Sequence, residues 1–356
     1  MKMTFRWYGK DNDEVTLDKI KQIPGVEGVV WSLHDMAAGE SWPIERIKEV
    51  KKQADEYGFN IDVVESVNVH EDIKLGLPTR DKYIETYIET MEKLATVGVK
   101  CICYNFMPVF DWTRTELYKK TEDGSNALFF EKSKIEDIDP VELINKLSKN
   151  VDVTMPGWEP ERLEKIEESF KAYSDFTAED LWDNLKYFLE KIIPVAERLD
   201  IKMAIHPDDP AFDIFGLPRI IINRDNIRRF LSLVDNKHNG LALCTGSLGS
   251  VITNDIPSII REFSDRIHFA HVRNVKVFEN GDFIETSHRA CDGSVDIVEV
   301  MRAYHESGYE GYMRPDHGRH LWGEEKWCRP GYGLYDRAMG IMYLLGIWDQ
   351  LEKNKE

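Results

Sequence analysis

Met203-Ala-Ile-His206 is a short apolar run that ends in a side chain able to hold a metal, and the arrangement recurs three times downstream. The later segments are Leu241-Ala-Leu-Cys244, Ile267-His-Phe-Ala-His271 and Tyr312-Met-Arg-Pro-Asp316. Their last residues fall 38, 27 and 45 positions apart. Such intervals suit successive strand-helix units of a parallel barrel, which bring equivalent strand ends to one rim. Eight strands are predicted: Thr4–Tyr8, Gly28–Trp31, Asn60–Glu65, Lys100–Phe106, Lys202–His206, Gly240–Cys244, Arg266–His271 and Gly311–Arg314. Most are unbroken apolar runs, as parallel strands covered on both faces require.

Helical patterns lie between the strands. Pro43–Tyr57 has Pro in its first turn, repeats Ile44, Ile47, Val50 and Ala54, and stops at Gly58. Asp81–Val97 and Thr177–Leu199 carry long apolar stripes, and Thr177 with Asp180 reads as a capped start. Val295–His305 and Leu334–Leu345 complete the set. This alternation favours an α/β fold of the closed (β/α)8 TIM-barrel type over an open doubly wound sheet. No glycine-rich dinucleotide fingerprint follows the first strand, which also counts against a Rossmann domain.

The expected organisation is one barrel domain over residues 1–356, interrupted twice. Residues 107–160 separate the fourth strand from its helix, with Glu116–Thr121 and Ala127–Lys132 as a hairpin around Gly124. Residues 273–290 hold a second hairpin, joined around Asn280-Gly281-Asp282. Both follow strands, so both belong on the catalytic face as lids, subunit contacts or plain decoration. The apolar Leu128, Phe129 and Phe130 need cover there.

Composition narrows the function. Lys and Arg total 46 against 64 Asp and Glu, a net charge of -18 with no basic run, which argues against nucleic acid as a partner. No apolar stretch is long enough to span a bilayer, so no membrane role is expected. The N-terminal residues lack the order of a signal peptide, and five scattered cysteines read as reduced thiols. A cytoplasmic protein is the expectation, as a homo-oligomer, most simply a dimer.

His206, Cys244, His271 and Asp316 together offer two imidazoles, a thiolate and a carboxylate to one divalent ion, leaving positions open for substrate. Each alone has an ordinary explanation as a rim residue or a buried thiol, and only their coincidence at strand ends carries the reading. Cys101 and Cys103 alternate with Ile102 and read as core packing. Arg273 and Arg314 are candidates for binding a substrate carboxylate, or else structural ion-pair partners. Asn105 and His34 are polar strand-end candidates for substrate contact. His317 and Tyr332 are candidate acid-base groups; Tyr332 sits in Arg329-Pro-Gly-Tyr-Gly333, which also reads as a simple turn.

The chain resembles the D-mannonate dehydratase family of xylose-isomerase-like barrels. The resemblance rests on Met3-Thr-Phe-Arg-Trp-Tyr-Gly9, Gly28-Val-Val-Trp-Ser-Leu-His34, Asp62-Val-Val-Glu-Ser66 and Tyr104–Arg114. It continues through Ala204-Ile-His-Pro-Asp-Asp-Pro210, Leu243-Cys-Thr-Gly-Ser247, His271-Val-Arg-Asn274, Arg314-Pro-Asp-His-Gly318 and Pro330-Gly-Tyr-Gly333. It implies dehydration of D-mannonate, a small sugar acid, to 2-dehydro-3-deoxy-D-gluconate in hexuronate breakdown. It also implies Mn2+ or Fe2+ on His206, Cys244, His271 and Asp316, with acid-base work at His317 and Tyr332. Ligand softness alone points to zinc or ferrous iron. A sugar isomerase or epimerase on the same barrel is the alternative enzyme, and a non-catalytic sugar-acid binder the alternative of another class.

Overall fold

Eight parallel strands close into a barrel in chain order. The computed structural model describes residues 1–10, 12, 14–137 and 166–354. The first four barrel strands are β1 (Lys2–Arg6), β2 (Gly28–Trp31), β3 (Asn60–Glu65) and β4 (Cys101–Tyr104). Next in the chain come β5 (Glu116–Lys120) and β6 (Asn126–Phe130), which stand outside the barrel. The barrel resumes with β7 (Lys202–Ile205), β8 (Asn239–Cys244) and β9 (Ile267–Val272), and β12 (Tyr312–Pro315) pairs with β1 to close it. Between β9 and β12 lie β10 (Val275–Val277) and β11 (Phe283–Glu285). All eight predicted strands are barrel strands, and the first ends at Arg6 rather than Tyr8.

Side-chain alternation divides each strand between two cores. In β4, Ile102 and Tyr104 pack outward under the helices, while Cys101 and Cys103 join Val30, Val63, Ala204, Ala242 and Phe269 in a separate cluster inside the barrel. The two cysteines are therefore core residues, and burial pushes both thiols up. Positions two residues beyond this inner layer, at the C-terminal ends, face the same way. They include Glu65, Asn105, His206, Cys244 and His271.

The helices follow their apolar stripes. Ile44–Glu56 buries Ile47 and Ala54, and Arg80–Thr96 buries Ile84, Tyr87, Met91 and Leu94. Ala178–Leu199 opens with a capping box: Thr177 Oγ1 accepts from Asp180 N, and Asp180 accepts from Thr177 N. The last helix, Leu334–Lys353, runs eight residues past its expected end. Arg224–Leu233 and Ile256–Phe263 were not anticipated, being only 10 and 8 residues long. Both bury clear stripes, such as Ile256, Ile259, Ile260 and Phe263.

The two insertions are not separate. β6 pairs antiparallel with β11, giving one four-stranded sheet in the order β10-β11-β6-β5. Phe130 stacks on Phe283 at 5.1 Å, and Leu128 meets Gly331. Leu128, Phe129 and Phe130 are all buried, so one insertion covers the other and no partner is needed for that purpose. Residues 138–160 of the first insertion lie outside the described residues.

Candidate active site

The four proposed ligands converge. One donor atom each of His206, Cys244, His271 and Asp316 lies within 4.8 Å of the other three. β7, β8, β9 and β12 bring them together as the strand spacing anticipates.

The surroundings fit a divalent ion. His271 is wholly buried; its Nε2 stands 3.5 Å from Glu65 Oε2, and neither ring nitrogen makes a full hydrogen bond, a state that a ligand would relieve. His206 Nδ1 lies 2.7 Å from the Pro207 carbonyl, so its proton is held there and Nε2 is left with its lone pair. Cys244 Sγ accepts from Ser247 N and Arg273 Nη2, both at 3.4 Å. Burial pushes the Asp316 carboxyl up, but Arg314, His317 and Arg273 outweigh it and hold the group well below the usual carboxylate range. Glu65, Cys103 and His271 form a second close group. It suits an ion less, because Arg314 grips Glu65 with two hydrogen bonds at 3.0 and 2.8 Å.

An open cavity of about 550 Å³ adjoins the cluster. His206, Asp316, His317, Tyr332, Asn105, Glu65, Asp111, Trp112, Asp209 and Arg6 are among its lining residues.

Arg273 and Arg314 do not line this cavity, and of the two readings offered for them their contacts are those of structural ion-pair partners. Arg273 has no exposed surface and is spent on Asp209 at 2.6 Å, Glu285 at 2.6 Å and Asp316 at 3.1 Å. Arg314 is spent on Glu65 and Asp316, each at 2.8 Å. Both are buried ion-pair partners that fix the wall. His34 is likewise not on the wall: its Nε2 lies 3.2 Å from Arg6 Nη2, behind the cavity. Burial and the guanidiniums of Arg6 and Arg329 hold it well below the usual histidine range, so it is neutral and accepts from Arg6. Asn105 does line the cavity, and its side-chain oxygen accepts from Met107 N at 3.4 Å.

His317 is braced from behind. Its Nδ1 lies 2.8 Å from Arg273 Nη1 and 3.1 Å from Glu285 Oε1. Nδ1 therefore stands between a donor and an acceptor: it accepts from Arg273 in one tautomer and donates to Glu285 in the other, and only the second leaves the opposite nitrogen free to take a proton. Burial raises the Glu285 carboxyl, but Arg273, His317 and Arg114 prevail and hold it at about 2. Glu285 ends β11, so the second insertion supplies a site residue that strand-end reasoning missed. Tyr332 meets His317 edge-on at 5.2 Å. Burial, then Tyr8 and Asp316, push its phenol well above the ordinary tyrosine value, so it stays protonated. Gly331, at φ 78°, turns the chain ahead of it.

A family model described as D-mannonate dehydratase (UxuA) matches residues 1–356. The mannonate dehydratase of Shouchella clausii (strain KSM-K16) is 64% identical over 99% of this chain and 98% of its own length. The crystal structure of mannonate dehydratase from Streptococcus suis serotype 2 matches at a TM-score of 0.90 and 43% identity, covering 100% of this chain and 96% of that one. A D-tagatose 3-epimerase-like protein matches at a TM-score of 0.58 with 12% identity over 100% of both chains, a likeness of fold alone.

Proposed function

The chain belongs to the D-mannonate dehydratase family, and from that premise we propose that its rim cavity removes water from D-mannonate to give 2-dehydro-3-deoxy-D-gluconate in hexuronate breakdown. The observation that carries the reading is the convergence of His206, Cys244, His271 and Asp316 beside a cavity lined by His317 and Tyr332. These four residues would hold Mn2+ or Fe2+, which when bound supplies Lewis acidity toward the substrate's oxygens.

The chain's own groups then divide two proton transfers. His317 takes the C2 proton at Nε2, and Glu285 receives the Nδ1–H hydrogen bond that steadies the resulting imidazolium. Tyr332 gives its phenolic proton to the departing C3 hydroxyl. Its persistence in the protonated form supports the acid assignment. The enol left behind tautomerises to the 2-keto acid. Trp112 and Met107 on the wall limit water around the reacting carbons.

The same reading takes the chain as a single barrel domain, working in the cytoplasm as a homodimer. Trp322, 79% exposed, with Tyr335, Met339 and Met342 on the last helix, supports a contact between copies there. Five free cysteines suit a reducing compartment. No helix among the described residues is long and apolar enough to cross a membrane.

Protein stripped of metal and resupplied with Mn2+ should release a keto-deoxy acid from D-mannonate, while the stripped protein should not. A product that is only an epimer or ketose would refute the dehydratase reading.

A further inference from the structure

Arg6 ends β1, and the alternation that turns Met3, Phe5 and Trp7 out to the helices turns Arg6 inward to the cavity. It is 2% exposed. The arginines around it are spoken for: Arg114, Arg273 and Arg314 each grip two or more carboxylates. Arg6 makes no ion pair among the described residues. Nη1 donates to the carbonyls of Trp7 and Val30, and Nη2 donates to the neutral His34. A guanidinium has five N–H bonds. The two left over are Nε–H and one on Nη2. Those are the nitrogens with which Arg314 grips Glu65.

Glu65 is the nearby counter-charge, but it makes no direct ion pair with Arg6, and a buried cation that keeps unmet N–H groups on a cavity wall is suited to an anion from outside. Its position is also fixed in advance. The Tyr8 ring packs under the Arg6 guanidinium at 4.5 Å, and Arg329 packs on the same ring at 4.4 Å. Glu65 also lines the cavity, but its carboxylate is already held by Arg314, so it does not take the open side of Arg6. We infer that Arg6 is the residue that recognises the substrate's carboxylate, through Nε and Nη2, and so selects sugar acids over neutral sugars. The inference rests on the dehydratase reading for the identity of the acid.

The probe is a matched pair, D-mannonate and its neutral amide, with binding measured by calorimetry on metal-loaded protein and no turnover of the amide required. Wild type should bind the acid at least about 10-fold more tightly than the amide, as a charge-assisted pair warrants. Arg6→Gln should weaken the acid by about 10- to 100-fold, leave the amide within about 2-fold, and keep its metal. Arg6→Lys should recover part of the preference, because it restores the charge without the fork. Equal loss of both ligands in Arg6→Gln would show a role in holding the β1–β2 rim only, and would overturn the inference. So would a wild type that does not distinguish acid from amide, a comparison that stands even where Arg6→Gln fails to fold. Failure of the dehydratase reading shows separately, as absent keto-deoxy acid from wild type that still prefers the acid.

Discussion

Glu285→Gln tests the buried charge network behind the cavity. Glu285 Oε1 accepts from Arg273 Nη1 at 2.6 Å and Arg114 Nη2 at 2.7 Å, and all three side chains are essentially without exposure. The amide keeps the shape but removes the charge, leaving two guanidiniums to Asp209 and Asp316. Breaking a buried pair from one side costs about 3–5 kcal/mol. The carboxyl itself gives a second measure. It is held at about 2 against an ordinary 4.5, a difference worth about 3 kcal/mol. Since the folded value is the depressed one, this contribution is present in full above the unfolded value and is lost as pH falls through about 2. It amounts to about 3 kcal/mol at pH 7 and about 2 kcal/mol at pH 3.5. Urea unfolding of wild type and variant at both pH values reads it directly. The gap should be about 3 kcal/mol or more at pH 7 and narrower by about 1 kcal/mol at pH 3.5, with unchanged slope. A gap under about 1 kcal/mol at pH 7, or one that widens with acid, would refute the electrostatic account.

Cys244→Ser and His271→Ala should lose bound metal and turnover together, by elemental analysis and product assay, with far-ultraviolet circular dichroism unchanged; full metal in both would remove these residues from the centre. Tyr332→Phe should still exchange the C2 hydrogen of D-mannonate with solvent while losing at least about 100-fold in water release. His317→Asn should lose the exchange itself, and the reverse pattern would swap the two roles. Gly331→Ala should cut kcat at least about 10-fold, because its φ of 78° disfavours a side chain and the added Cβ would stand 2.6 Å from Leu128 Cδ1. Unaltered steady-state kinetics would mean that the turn before Tyr332 tolerates displacement.

The barrel was legible because parallel strands leave unbroken apolar runs and because four of them end in ligand chemistry. Short helices escaped notice, Ile256–Phe263 among them, although Ile256, Ile259, Ile260 and Phe263 keep a clear helical spacing. The joining of the two insertions into one sheet was not legible, since β6 and β11 are more than 150 residues apart and nothing local selects their pairing. Glu285 was hidden for the same reason.

The arginines fail and succeed on a different ground. Arg6, Arg273 and Arg314 look alike on the page of the sequence: each stands in or just past an apolar strand. Strand parity narrows the choice, for Arg6 is inward by alternation from Thr4. Parity cannot say whether a guanidinium's charge is already spent. That depends on carboxylates from distant strands: Glu65 on β3 for Arg314, Glu285 on β11 and Asp209 beyond β7 for Arg273. A charge satisfied by the fold holds the wall in place, whereas a charge left over faces the ligand. The distinction between scaffold and recognition among chemically identical residues therefore emerges only when every donor has been matched to its acceptor, and by that test Arg6 is the arginine among the described residues of this wall with hydrogens to give.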